Sequence, residues 1–105
     1  MSQVLSWADI STAAISEIGV HQQHKPADNF KFYSNTYAAN QTVDIKASHG
    51  FRLYVLAGSC SLTVNGQELD LEAEQYIQLK DGVYTCNTGS EGLSIVKVFN
   101  AKTKN

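Results

Sequence analysis

The sequence predicts an all-β domain, a two-sheet jelly-roll barrel preceded by a short helical or irregular segment. Three observations carry this. From Phe30 onward, apolar and polar residues alternate with the period of a strand. Gly-bearing turns cut the alternation at regular intervals. About eight such short runs suit two packed sheets. An immunoglobulin-like sandwich is the runner-up, but the buried Trp and paired cysteines expected of it have no counterpart. Trp7 precedes the strands, and Cys60 and Cys86 lie too close together.

Each element can be justified in order. Ser6–Gly19 is the best helix candidate, with Ser6 as cap, Asp9 in the first turn and Gly19 as a left-handed stop. A short helical turn followed by a strand fits nearly as well. His21–Asn29 holds the only proline and reads as a loop. In the first strand Phe30, Phe32 and Ser34 share one face, and the Phe30–Phe32 face is expected to be buried. Val43, Ile45 and Ala47 alternate with Asp44, Lys46 and Ser48. Phe51, Leu53 and Val55 alternate with Arg52, Tyr54 and Leu56. Asn65-Gly66, between Leu62-Thr63-Val64 and Leu69-Asp70-Leu71, is a hairpin signal. Asp81-Gly82 marks a second tight turn. Ile95–Phe99 is the last strand. The expected organisation is an N-terminal segment over 1–28 packing on the barrel, one barrel domain over 29–100 and a frayed tail over 101–105.

The bulk composition limits the function classes. The chain has 105 residues, of which 43% are hydrophobic and 17% charged, the balance of one globular domain. Eight basic and ten acidic residues give a net charge of −2, with no basic patch for a nucleic acid. No apolar run is long enough to span a bilayer, and no signal peptide is evident. With two cysteines in no metal-knuckle spacing, the expectation is a cytoplasmic protein with reduced thiols.

The run Tyr54-Val55-Leu56-Ala57-Gly58, followed by Leu62-Thr63-Val64-Asn65-Gly66, resembles the end of the first cupin signature and the hairpin after it. Placing that signature's last Gly on Gly58 puts its Glu at Phe51. Its two His then fall on Ile45 and Ala47, or on Asp44 and Lys46. Placing the second signature's Pro-x-Gly glycine on Gly82 puts its Pro at Lys80, its His at Thr85 and its Asn at Gly89, with Asn87 close by. The resemblance covers roughly residues 30–99 and implies a small cupin barrel. A first-row metal in that fold needs imidazoles and a carboxylate aimed inward. Ile, Ala, Phe and Thr cannot supply them, so the metal motifs are degenerate and neither metal nor other cofactor is expected.

The resemblance then implies a small, largely apolar pocket lined by Phe32, Phe51, Leu53, Thr85 and Asn87, with Thr85 as polar handle. The leading expectation is a metal-free binder of a small organic molecule or carbohydrate. A metal-independent sugar isomerase or epimerase is an alternative, using His49 with Tyr37 or Tyr84 as acid and base. Strand parity weakens Tyr84, which should face away from the side of Thr85. A structural or regulatory homodimer is another alternative, with Arg52 and Tyr54 on an outer sheet face available for a C2 interface. A displaced metal on His49, His21 or His24 is the least favoured. Glu68, Asp70, Glu72 and Glu74 read as a solvated face that blunts an edge strand.

Overall fold

A computed structural model describes residues 4–12, 14–24, 30–48 and 50–100. The elements are β1 (Leu5–Ser6), a 3₁₀ turn (Trp7–Asp9), α1 (Glu17–His24), β2 (Phe30–Tyr37), β3 (Thr42–Ala47), β4 (Phe51–Val64), β5 (Gln67–Glu72), β6 (Gln75–Leu79) and β7 (Gly82–Asn100). All strand pairs are antiparallel. No helix among the described residues is long and apolar enough to cross a membrane.

Two long strands carry the architecture. β4 and β7 pair along most of their length, and each serves two sheets. The first half of β4 and the second half of β7 join β6 and β1 on one side and β2 on the other. The second half of β4 pairs with β5, and the first half of β7 pairs with β3. The β4–β7 register breaks between Val55 and Ala57 and again between Gly58 and Cys60. Such bulges bend a strand and raise its twist. Gly58 and Gly92 both take φ of +80° at this bend, where a glycine pays no Cβ penalty. A Cβ on Gly58 would also collide with the carbonyl oxygen of Gly92.

The bend reverses which residues face inward. Before it, Phe51, Leu53 and Val55 point into the core; after it, Cys60, Leu62 and Val64 do. On β7 the inward set passes from Tyr84 and Cys86 to Leu93, Ile95 and Phe99. Ile45, Leu71, Ile77 and Leu79 complete an apolar interior between the two sheets. Thr88 is the one buried polar side chain among the described residues. Its hydroxyl donates to the Ala38 carbonyl at 2.7 Å and accepts from the Gln41 amide at 2.8 Å, tying down the β2–β3 connection.

The outer face of the first sheet is also buried. Tyr54, Tyr76, Val96 and Val98 lie under Trp7 and Val20 from the N-terminal segment. Trp7 meets Tyr54 edge to face at 5.8 Å, and Tyr54 stacks on Tyr76 at 5.1 Å. The expectation that Tyr54 belongs to a face open for dimerisation is therefore corrected. Trp7 and Val20 of the same chain cover that face, and Tyr54 has no exposed surface.

The helix expectation shifts as well. Trp7–Asp9 makes only a 3₁₀ turn, and the α-helix begins at Glu17 and runs through His21–His24, part of the expected loop. Ser16 caps it, its Oγ accepting the Gly19 amide at 3.0 Å. Gly19 lies inside the helix rather than ending it, where a Cβ would stand 3.4 Å from the Trp7 ring. The Asn65-Gly66 turn forms as expected, with both residues at positive φ between β4 and β5.

Candidate functional site

Three of the positions where the resemblance expects metal ligands, Ile45, Ala47 and Phe51, come together inside the barrel. Ile45 and Phe51 are each 1% exposed, and Ala47 is half-buried against the same core. β3 pairs with β7 so that Ile45 stands opposite Tyr84, while Asp44 stands opposite Thr85. Opposed residues share a sheet face. Tyr84 therefore joins the inner side, and Thr85 is exposed on the outer one. The structure exchanges the roles expected of these two neighbours. Cys86, fully buried, fixes the parity of this half of β7.

The inner end of the barrel carries a continuous aromatic array. Phe51 stacks on Phe99 with centroids 5.3 Å apart and an interplanar angle of 24°. Tyr84 tilts against Phe51 at 6.1 Å, and Tyr33 meets Phe99 edge to face at 5.7 Å. The Tyr84 hydroxyl donates to the Lys80 carbonyl at 2.8 Å, which anchors it at the rim. Burial raises its pKa above the ordinary phenol value, with Asp81 adding to the rise. Tyr33 keeps 47% of its surface exposed, so the array runs from a buried floor to an open edge.

Lys97 lies beside this array. It stands between Leu53 on β4 and Tyr33 on β2, on the inward side of β7 between Ile95 and Phe99. The side chain is half-buried, and burial draws its pKa below the ordinary lysine value. Sequence reading missed Lys97. The signal was available: Leu93, Ile95, Lys97 and Phe99 alternate with Ser94, Val96 and Val98.

The other expected site residues separate. Leu53 is fully buried in the inner core. Asn87 lies on the outer face of the second sheet, where its Oδ1 accepts the Thr42 hydroxyl at 2.6 Å. Asn87 and Thr85 are thus corrected from pocket lining to outer surface, because alternate residues of β7 face opposite ways. The backbone of Phe32 pairs with Val98, a member of the outer cluster; its side chain lies outside the described residues. His49 lies outside them too, as do the side chains of His21 and His24.

The metal that the resemblance implies does not fit this set. Ile45, Ala47 and Phe51 have no donor atoms, and the Tyr84 hydroxyl is engaged by Lys80. Among the described residues, no three His, Cys, Asp or Glu side chains are grouped to hold a metal ion. Cys60 and Cys86 are free and buried, and their thiols hydrogen-bond to each other. That contact raises the Cys60 pKa and lowers that of Cys86. The two do not oppose each other directly: Cys60 faces Thr88, and Leu62 faces Cys86.

A concavity of about 720 Å³ lies on the outer side of the second sheet. Ser59, Ser61, Asp70, Glu72, Asn87 and Glu91 give it a polar and acidic lining. Glu68, Asp70 and Glu72 are all exposed along β5, as a solvated edge-strand face requires. Glu74 leaves that row. It occupies the β5–β6 turn at φ +71°, where its carbonyl accepts the Trp7 amide at 2.8 Å.

No family model matches the sequence, and no curated protein matches it. Solved structures do. The Cupin_2 domain of an XRE-family transcriptional regulator from Enterobacter cloacae superposes with a TM-score of 0.63 at 15% identity. That match covers 74% of this chain and 90% of the other. A cupin superfamily protein from Desulfitobacterium hafniense gives 0.59 at 16% identity, over 95% of this chain and 79% of the other. Salicylate 1,2-dioxygenase from Pseudoaminobacter salicylatoxidans gives 0.56 at 12% identity, over 69% of this chain but only 20% of the enzyme. At these identities the likeness speaks for fold and not for activity. The chain has the all-β jelly-roll fold of a small cupin barrel.

Proposed function

We propose that this protein is a metal-free binding module that takes a small organic ligand at the aromatic end of its barrel. One observation carries the reading: Tyr33, Phe99, Phe51 and Tyr84 form an unbroken aromatic array where the fold would otherwise hold a metal. The array has a solvent-shielded floor in Phe51 and an exposed edge in Tyr33. Apolar and aromatic walls with a few polar groups are the usual make-up of a small-molecule site. Two of the similar structures are a domain of a transcriptional regulator and an HTH_3-family transcriptional regulator, which suits a binding role for this barrel. An isomerase reading is weaker, since the Tyr84 hydroxyl already donates to a backbone carbonyl.

The test is a fragment panel of single-ring aromatics and short aliphatics followed by amide and aromatic NMR shifts. Binding should move signals of Tyr33, Phe51, Tyr84 and Phe99 together. A panel that shifts none of them, or shifts only the outer face near Asn87, would leave a structural domain without pocket chemistry.

A further inference from the structure

We propose that the ligand class is a small organic acid, an apolar or single-ring carboxylate whose anionic head pairs with Lys97 while its body lies on the Tyr33–Phe99–Phe51 array. The inference rests on the binding role just proposed and adds the chemistry of the ligand.

The geometry supplies both halves of such a site. Leu53, Lys97 and Tyr33 are register partners across the adjacent strands β4, β7 and β2, so all three share the inward side. Along β7 the lysine is flanked on the same side by Ile95 and Phe99, both in the apolar core. An ammonium in such surroundings gives up part of its hydration. Its lowered pKa has burial as its cause. The acidic residues of β3 and β5 lie elsewhere: Asp44, Glu68, Asp70 and Glu72 are exposed on the outer side of the second sheet. A cation that is partly desolvated and set apart from those carboxylates is completed by an anion from solution.

The rest of the face matches an acid with an apolar body. Asn35, opposite Ile95, lies on the side of β2 that carries Tyr33, and its exposed amide adds a donor for the second carboxylate oxygen. The Tyr33 ring, edge-on to Phe99, is the exposed surface on which a flat or short aliphatic body would lie. A neutral ligand would leave the ammonium unanswered. A cationic one would be repelled by it.

The experiment compares acids with their neutral isosteres on the full-length chain. Benzoate against benzamide, and hexanoate against hexanamide, are titrated by NMR into the native protein, Lys97→Met and Lys97→Arg. Both acids should bind native protein at least about ten-fold more tightly than their amides, as a charge-assisted contact implies. Lys97→Met should bring the acids down to the level of the amides and leave amide binding unchanged. Lys97→Arg should keep most of the preference. Equal binding of acid and amide to native protein would overturn the acid assignment while leaving the binding role intact. So would a preference that survives Lys97→Met, or a methionine variant that loses acid and amide alike. If no probe binds native protein, the binding role fails and this inference falls with it.

Discussion

The sheet shared by β4 and β7 carries one aromatic cluster on each face, and the two differ in what completes them. On the outer face, Trp7, Tyr54 and Tyr76 are all at most 6% exposed, and the Arg52 guanidinium lies 5.4 Å from the Tyr76 ring centroid. Arg52 also donates to the Tyr54 hydroxyl at 3.3 Å. This cluster is closed by the chain itself. On the inner face, the array ends in an exposed Tyr33 and a half-buried Lys97, on the side of the sheets opposite the exposed carboxylates of β3 and β5. Similar residue types thus do different work: the first cluster is core, and the second has an end open to solvent. The difference follows from what covers each face, which strand alternation alone does not state.

The most drastic way to break the comparison is to remove the bend that gives the sheet its two differently covered faces. Gly58→Ala puts a Cβ into the Gly92 carbonyl oxygen at φ +80°, and neither backbone can yield without breaking the β4–β7 register. A conformational penalty of about 1–2 kcal/mol adds to that collision. The sum is expected to reach the order of the whole folding free energy, about 5–15 kcal/mol. Loss of a cooperative melting transition by circular dichroism is the expected result. A variant that melts within a few degrees of native protein would mean the crossing is looser than its geometry.

Next in size is the outer cluster. Trp7→Ala should destabilise by about 3–5 kcal/mol, as for other buried large aromatics. It removes a ring that is 2% exposed and packed on Tyr54. Urea unfolding followed by circular dichroism measures it, because Trp7 is the chain's only tryptophan and its fluorescence is lost with it. A change under about 1 kcal/mol would make the N-terminal segment a loose cover, and the outer face would again be available to a partner.

How far the sequence could be read follows the same divide. Strand alternation, the Asn65-Gly66 turn and the inward positions of Ile45, Phe51 and Leu53 were legible, because period and turn chemistry are local. The cover over Tyr54 was not. Trp7 and Tyr54 are far apart in sequence, and the apolar Val96 and Val98 look like surface until something packs on them. Thr85 failed for another reason. Placing a glycine signature on Gly82 fixes spacing but not parity, and parity on β7 is set by Cys86 and the pairing with β3. The reversal of faces was written in β4 all along, as apolar residues at Phe51, Leu53 and Val55 and then at Cys60, Leu62 and Val64. Lys97 was overlooked because a charged residue within an apolar alternation is easily read as surface.

A smaller effect separates the clusters by pH. Burial raises the Tyr54 phenol above its ordinary pKa of 10.0, against the opposing influence of Arg52. An acid with a raised folded pKa costs stability only where the unfolded chain ionises first, so the loss begins above about pH 10. Alkaline titration of phenolate absorbance should show one or more tyrosines that ionise only as the fold is lost. Tyr54→Phe should remove one of them. If all five tyrosines titrate together near 10 in folded protein, the closure of the outer cluster is refuted.

The smallest effect belongs to Lys97, and its sign is opposite. A base whose folded pKa lies below its unfolded value of 10.5 is held against its preference while protonated. Between the two pKa values the unfolded chain binds more protons, so stability rises with pH across that interval and levels off above 10.5. Lys97→Met removes the strain of partly burying an ammonium. It should melt at or slightly above the native temperature at pH 7, with the difference shrinking as pH approaches the upper end of that interval. Solvent contact of the lysine screens the effect, so a shift of a few degrees at most is expected. Differential scanning calorimetry at several pH values reads it, with Tyr54→Phe as background to cancel that phenol's contribution. If Lys97→Met melted well below native protein at neutral pH, the ammonium would be making a stabilising contact within the chain. The inner face would then be closed by its own residues, as the outer one is.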